Sequence, residues 1–136
     1  RCFVLDLVQR ADRKCIDIKD LQKYSALLDK AERLVLRTGW DREGNEYYSG
    51  YPFLSLDACV FLCKHPLKLL GVDTPSPGPN NEEGEEVHKL LLNNDICLVE
   101  GLTSLDLIDG NEFQLFCLPL NITCTSGAPC RAIAVC

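Results

Sequence analysis

Two residues in the stretch EEVHKLLLNNDICLVEGL (residues 85–102) could do chemistry together. His88 lies among Val87, Leu91 and Leu92, where the apolar spacing predicts a short amphipathic helix. Glu100 ends an apolar run, ICLVEGL, that reads as a buried strand. A buried carboxylate is rare unless it is paired or metal-bound. The C-terminal end of a strand is also where α/β sheets place their sites. An imidazole and a carboxylate both suit zinc and similar ions, but such ions take three or four protein ligands, so this pair is an incomplete set. Taken alone, His88 is more often a structural histidine.

The other candidates are weaker. His65, just before Pro66 at a helix end, reads as a surface or capping histidine. Asp73 closes a strand and Ser76 follows it; they could line a site or cap a turn. Cys124 and Cys130 flank TSGAP and are expected to form a disulfide rather than to act as nucleophiles. The chain has no G-x-S-x-G elbow, no P-loop and no Gly-rich dinucleotide fingerprint.

The elements that must position these groups alternate between helix and strand. CFVLDLV (2–8) and RLVLRTGW (33–40) read as strands. Between them, Ile18, Leu21, Tyr24, Leu27, Leu28 and Ala31 recur at helical spacing behind an N-cap at Asp17. DREGNEYYSGYP (41–52) is a loop, and Ser55 caps a helix, LDACVFLCKH, that stops before Pro66. LKLLGVD (67–73) is a strand followed by the proline-rich loop TPSPGPNNEEGEE. After the His88 helix and the Glu100 strand come a turn, TSLDLIDGN, and two strands, FQLFCLPLNI and CRAIAVC. The pattern predicts an α/β fold with a mixed sheet and an antiparallel pair at its end.

At 136 residues the chain has the length of one domain. Its net charge of -6 argues against a nucleic-acid partner, which would select a basic face. No apolar run reaches the roughly 18–20 residues of a membrane span. The chain starts at Arg1 and contains no Met, so it is expected to be a processed or partial product, with any signal peptide upstream. Nine cysteines without a C-x-x-C, together with the sequon Asn121-Ile122-Thr123, point to a secreted, disulfide-bonded glycoprotein; the alternative is that several of the cysteines are small buried apolar residues of a cytosolic core. Nine is odd, so one thiol stays free or pairs with another chain.

Five ordered blocks carry a family resemblance: LVLRTGW, LKLLGVDTPS, VHKLLL with LVEGLTSLD, FCLPLNI, and SGAPCRAIAV. They resemble the cyclase family of metal-dependent hydrolases, which contains bacterial-type kynurenine formamidase and isatin hydrolase. The resemblance implies the C-terminal part of the swivelling β/β/α fold. It also implies that His88 and Glu100, twelve residues apart, are metal ligands, with zinc or manganese as the metal. The family's H-x-G-T-H-x-D motif and its acid–base histidine do not occur in these residues. Residues 1–136 are therefore expected to be a partial domain, with no catalytic base of its own and inactive alone. Its expected partner is the N-terminal half of the same precursor or another subunit, with a disulfide link available, in a homo- or hetero-oligomer. Two functions follow. One is an amide hydrolase completed by the missing half; the other is a non-catalytic, disulfide-rich binding or structural protein that reuses the scaffold.

Overall fold

The apolar runs do become strands, and their pairing sets the architecture. The computed structural model describes residues 1–8, 14–40 and 48–136; residues 41–47, most of the expected loop 41–52, lie outside them. The first half runs β1 (Cys2–Asp6), β2 (Cys15–Ile16), α1 (Ile18–Gln22), α2 (Ser25–Leu28), β3 (Arg33–Arg37), β4 (Phe53–Leu54) and α3 (Leu56–Leu62). The second runs β5 (Leu69–Val72), α4 (Glu82–Asn93), β6 (Cys97–Val99), β7 (Glu112–Pro119) and β8 (Cys130–Val135).

Six strands form one mixed sheet in the order β6-β5-β3-β1-β7-β8. The first four are parallel, β7 is antiparallel to β1, and β8 is antiparallel to β7. β2 and β4 pair separately, parallel to each other. The expected α/β class, mixed sheet and terminal antiparallel pair are all present.

Alternation along the strands divides the core in two. Leu5, Leu34, Leu36 and Leu70 pack against Leu21, Leu28, Leu62, Val87 and Leu91 of the four helices. Val4, Val35 and Val99 face the other way and meet Leu102, Leu105, Ile108 and Phe113. Gly71 of β5 permits that second layer. A β-carbon there would lie 2.8 Å from Leu102 and 2.9 Å from Val35.

Local signals place the helices. Asp17 accepts from the Lys19 and Asp20 amides while Asp20 closes a capping box, and Ser55 accepts from the Ala58 amide to start α3. The single helix expected over 17–31 is two short ones. The Ser25 hydroxyl donates to the Gln22 carbonyl at 2.6 Å and the Tyr24 phenol to the Asp6 carbonyl at 3.1 Å. Those bonds hold Tyr24 off the helical track, at φ -106° and ψ 12°. Among the described residues, no helix is long and apolar enough to cross a membrane.

Candidate functional site

Helix α4 starts where Asn81 accepts from the Gly84 amide, and Glu82, Glu83 and Glu85 in its first turn complement the positive end of the helix. Val87 and Leu91 are buried in the core, so the intervening His88 turns sideways, its side chain 36% exposed. His88 Nδ1 lies 2.8 Å from the Gly84 carbonyl oxygen. A carbonyl only accepts, so Nδ1 carries the hydrogen and the ring orientation is set. Gly84 is constrained in turn: a β-carbon on it would lie 1.8 Å from the Pro79 carbonyl oxygen. The proline-rich loop and the histidine's orientation therefore meet at one glycine.

Glu100 arrives from the neighbouring strand. β6 is buried at Val99, and Gly101 then turns the chain with φ 64°. The Gly101 amide donates to the Thr74 carbonyl and the Leu102 amide to the Val72 carbonyl, both at 2.9 Å. This turn puts His88 Nε2 and Glu100 Oε1 2.9 Å apart. The expected buried acid is corrected here. The turn lifts Glu100 out of the strand, leaving its side chain 37% exposed.

Both groups line a cavity of about 600 Å³, together with Tyr48, Tyr51, Ser76 and Lys89. Ser76 stands where the sequence suggested, accepting from the Gly78 amide at 3.2 Å and bonding the Tyr51 phenol. Tyr51 also donates to the Gly78 carbonyl at 3.0 Å and meets Trp40 edge-on. Burial, with the Glu100 charge adding to it, pushes the phenol's pKa up, so it stays protonated.

Asp73 is not among the residues lining this cavity. It is buried and accepts from the Thr38 amide, the Thr38 hydroxyl and the Gly39 amide at 2.8, 2.7 and 2.9 Å. Burial raises its pKa, against the pull of those donors. Its work is to tie the end of β5 to the end of β3.

His65 is not the surface residue that the sequence suggested. It pairs with Asp29 at 3.2 Å and packs edge-on against Phe61 with its side chain largely buried. Cys124 and Cys130 are separate, exposed thiols. Cys124 lies in the β7–β8 connection with φ 61°, outside the ladder that holds Cys130. Asn121 is exposed in the same connection.

Sequence reasoning missed Tyr51 and Lys89. Lys89 follows the histidine in sequence and itself lines the cavity. Tyr51 was legible only as part of an aromatic-rich loop. Among the described residues, no group of three or more His, Cys, Asp or Glu side chains converges as a metal requires. His88 and Glu100 supply two donors of suitable chemistry, a nitrogen whose partner atom is already hydrogen-bonded and an open carboxylate. They fit a divalent ion as part of a ligand set.

The family model described as Putative cyclase matches residues 1–79. The kynurenine formamidase of Bacillus cytotoxicus (strain DSM 22905 / CIP 110041 / 391-98 / NVH 391-98) is 34% identical over 118 residues, covering 87% of this chain and 55% of that protein. The kynurenine formamidase of Bacillus cereus (strain ATCC 10987 / NRS 248) is 32% identical over 127 residues, covering 93% and 59%. Isatin hydrolase A from Labrenzia aggregata superposes with a TM-score of 0.81 at 18% identity, covering 98% of this chain and 59% of that one. A potential metal-dependent hydrolase with cyclase activity gives 0.71 at 22%, covering 98% and 63%. The chain thus spans little more than half the length of the curated relatives it matches.

Proposed function

This chain belongs to the cyclase family, and from that premise we propose that it is the C-terminal part of a metal-dependent hydrolase that opens an amide bond, a formamide or a cyclic amide. The observation that carries the reading is the convergence of His88 Nε2 and Glu100 Oε1, 2.9 Å apart, at the wall of a 600 Å³ cavity beside the C-terminal ends of β5 and β6. The relatives' names, kynurenine formamidase and isatin hydrolase, support the bond type.

His88 and Glu100 would hold the ion, and their nitrogen and oxygen donors suit zinc or manganese. When bound, such an ion lowers the pKa of water and polarises a carbonyl. The chain's own residues do the rest of what it contributes. The Gly84 carbonyl fixes the His88 ring so that Nε2 faces the cavity. Tyr51 forms a protonated, partly apolar wall against which a planar substrate can lie.

The remaining ligands and the acid–base group are assigned to polypeptide N-terminal to these residues, or to another subunit. The outer face of the β7–β8 hairpin supports such a partner. Phe116, Leu118, Ile133 and Val135 are exposed on it, and residues 113–136 contain no Asp or Glu. Cysteine density and the exposed Asn121 sequon support a secreted setting.

The test is metal content and hydrolysis of an N-formyl aromatic amine, measured on the protein isolated from its source and on residues 1–136 alone. Stoichiometric zinc or manganese in the isolated protein, lost in Glu100→Ala with the activity, is the expected result. Residues 1–136 should not turn over. A source protein that folds without metal and is indifferent to Glu100→Ala would overturn the hydrolase reading in favour of a binding or structural role.

A further inference from the structure

We propose that Cys117 and Cys130 are the two halves of a reversible disulfide that clasps the C-terminal hairpin. In the β7–β8 ladder Cys117 stands opposite Ala132 and Cys130 opposite Pro119. Residues opposite or two apart share a face of the sheet, so the two cysteines are diagonal neighbours on one face. That is the inner face, where Leu115, Cys117 and Ala132 pack on the second core layer. Each thiol lies within electrostatic reach of the other, and neither is in a disulfide.

Cys2 and Cys97 also come within electrostatic reach of Cys117, but Cys2 is buried and Cys97 lies on β6, at the opposite end of the strand order from β8. Burial pushes the Cys2 and Cys59 thiols up to about 12, which leaves them without useful thiolate. Cys124, the partner expected from sequence spacing, lies off the ladder in the connection.

The chemistry needs an oxidant, and oxidised glutathione, a small-molecule disulfide, is one of the right class. Cys130 is exposed and meets it first; Cys117 is half-buried, and burial raises its pKa. The Cys130 thiolate attacks one glutathione sulfur, forming a mixed disulfide and expelling a glutathione thiolate. Deprotonated Cys117 then attacks the Cys130 sulfur and expels the second glutathione. Two protein thiols lose two protons and two electrons, which end on two molecules of glutathione thiol.

The geometry also says the bridge should be labile. Diagonal α-carbons in a regular ladder are about 7–8 Å apart, whereas a relaxed disulfide spans about 5.5–6 Å. Among the described residues β8 is an edge strand that pairs with β7 alone, so it can draw inward. A stretched, accessible bridge is readily reduced. Closing it encloses residues 118–129 and fixes one wall of a second cavity, of about 360 Å³, which Leu115, Arg131 and Ala132 help to line. None of this depends on the metal site.

The test is residues 1–136 equilibrated with oxidised and reduced glutathione in varied ratio, alkylated, and read by intact mass and peptide mapping. The wild-type chain should lose the mass of two hydrogens, with the bridge mapping to Cys117–Cys130, and regain it on mild reduction. Cys124→Ser should leave the bridge intact. Cys117→Ser should instead trap one glutathione on Cys130. A bridge mapping to Cys124–Cys130, or a wild-type chain that gains only glutathione adducts, would overturn the proposal; since both are read on the wild type, misfolding of a variant cannot obscure them.

Discussion

The helix-backed part of the sheet and the C-terminal hairpin obey the same pairing rules but end in opposite conditions. Around β5, α4 and β6, Leu70, Val87, Leu91 and Ile96 are sealed in the core, and buried Asp73 takes three hydrogen bonds. On the hairpin, Phe116 and Ile133 face each other across the ladder with each 44% exposed, and Leu118 is 59% exposed. The first region finds its partners within the chain. The second, among the described residues, packs one face on the core and leaves the other exposed, the surface proposed above to meet another polypeptide. The contrast separates a part of the molecule whose apolar side chains are sealed within the chain from a part whose apolar side chains remain exposed.

The sharpest way to break this comparison is to remove side chains from both regions. Leu91→Ala should cost about 2–5 kcal/mol in denaturant unfolding of residues 1–136, as for a fully buried leucine that leaves a cavity. Leu118→Ala should stay within about 0.5 kcal/mol in the same chain. Equal costs would mean that the hairpin face is already covered in solution.

A second, smaller effect sharpens the picture inside the self-sufficient region. Asp73→Ala strands two amides and a hydroxyl and should cost roughly 1–3 kcal/mol. Two carboxylates also predict opposite pH dependences. Burial raises the Asp73 pKa, so its contribution is present below the ordinary carboxylate range and is lost as pH rises through its folded value. The hydrogen bond from Arg37 lowers that of Asp6, whose contribution is present above the ordinary range and is lost as pH falls through its folded value. Melting curves between about pH 3 and pH 7 should therefore show wild type losing ground to Asp73→Asn, and gaining ground on Asp6→Asn, as pH rises. A shared sign would contradict the burial of Asp73.

The smallest effect expected is at the cavity rim. Lys89 pairs with Glu85 at 3.4 Å, an exposed pair one helical turn apart. Lys89→Ala should change stability by only about 0.2–0.5 kcal/mol, so any larger change in ligand binding would report a role in the cavity itself.

Much of the fold was readable because its causes are local. Asp17 and Ser55 cap helices through amides two or three residues away, and the continuous apolar runs CFVLD and RLVLR already mark strands. The His88–Glu100 pairing was legible too, but only through a resemblance that supplied the meaning of a twelve-residue spacing. The openness of Glu100 was not, because it depends on Gly101 bonding to Thr74, 27 residues earlier in the chain. Asp73 could be read as lining or capping until Thr38, 35 residues away, took its carboxylate. Cys130 had Cys124 as its neighbour in sequence and Cys117 as its neighbour in the ladder. Caps and periodicity are settled by hydrogen bonds and packing within a turn or two, so the sequence alone determined them. Which polar group meets which across the sheet depends on strand order and register. Those follow from burying two apolar layers at once, and only the tertiary structure decided them.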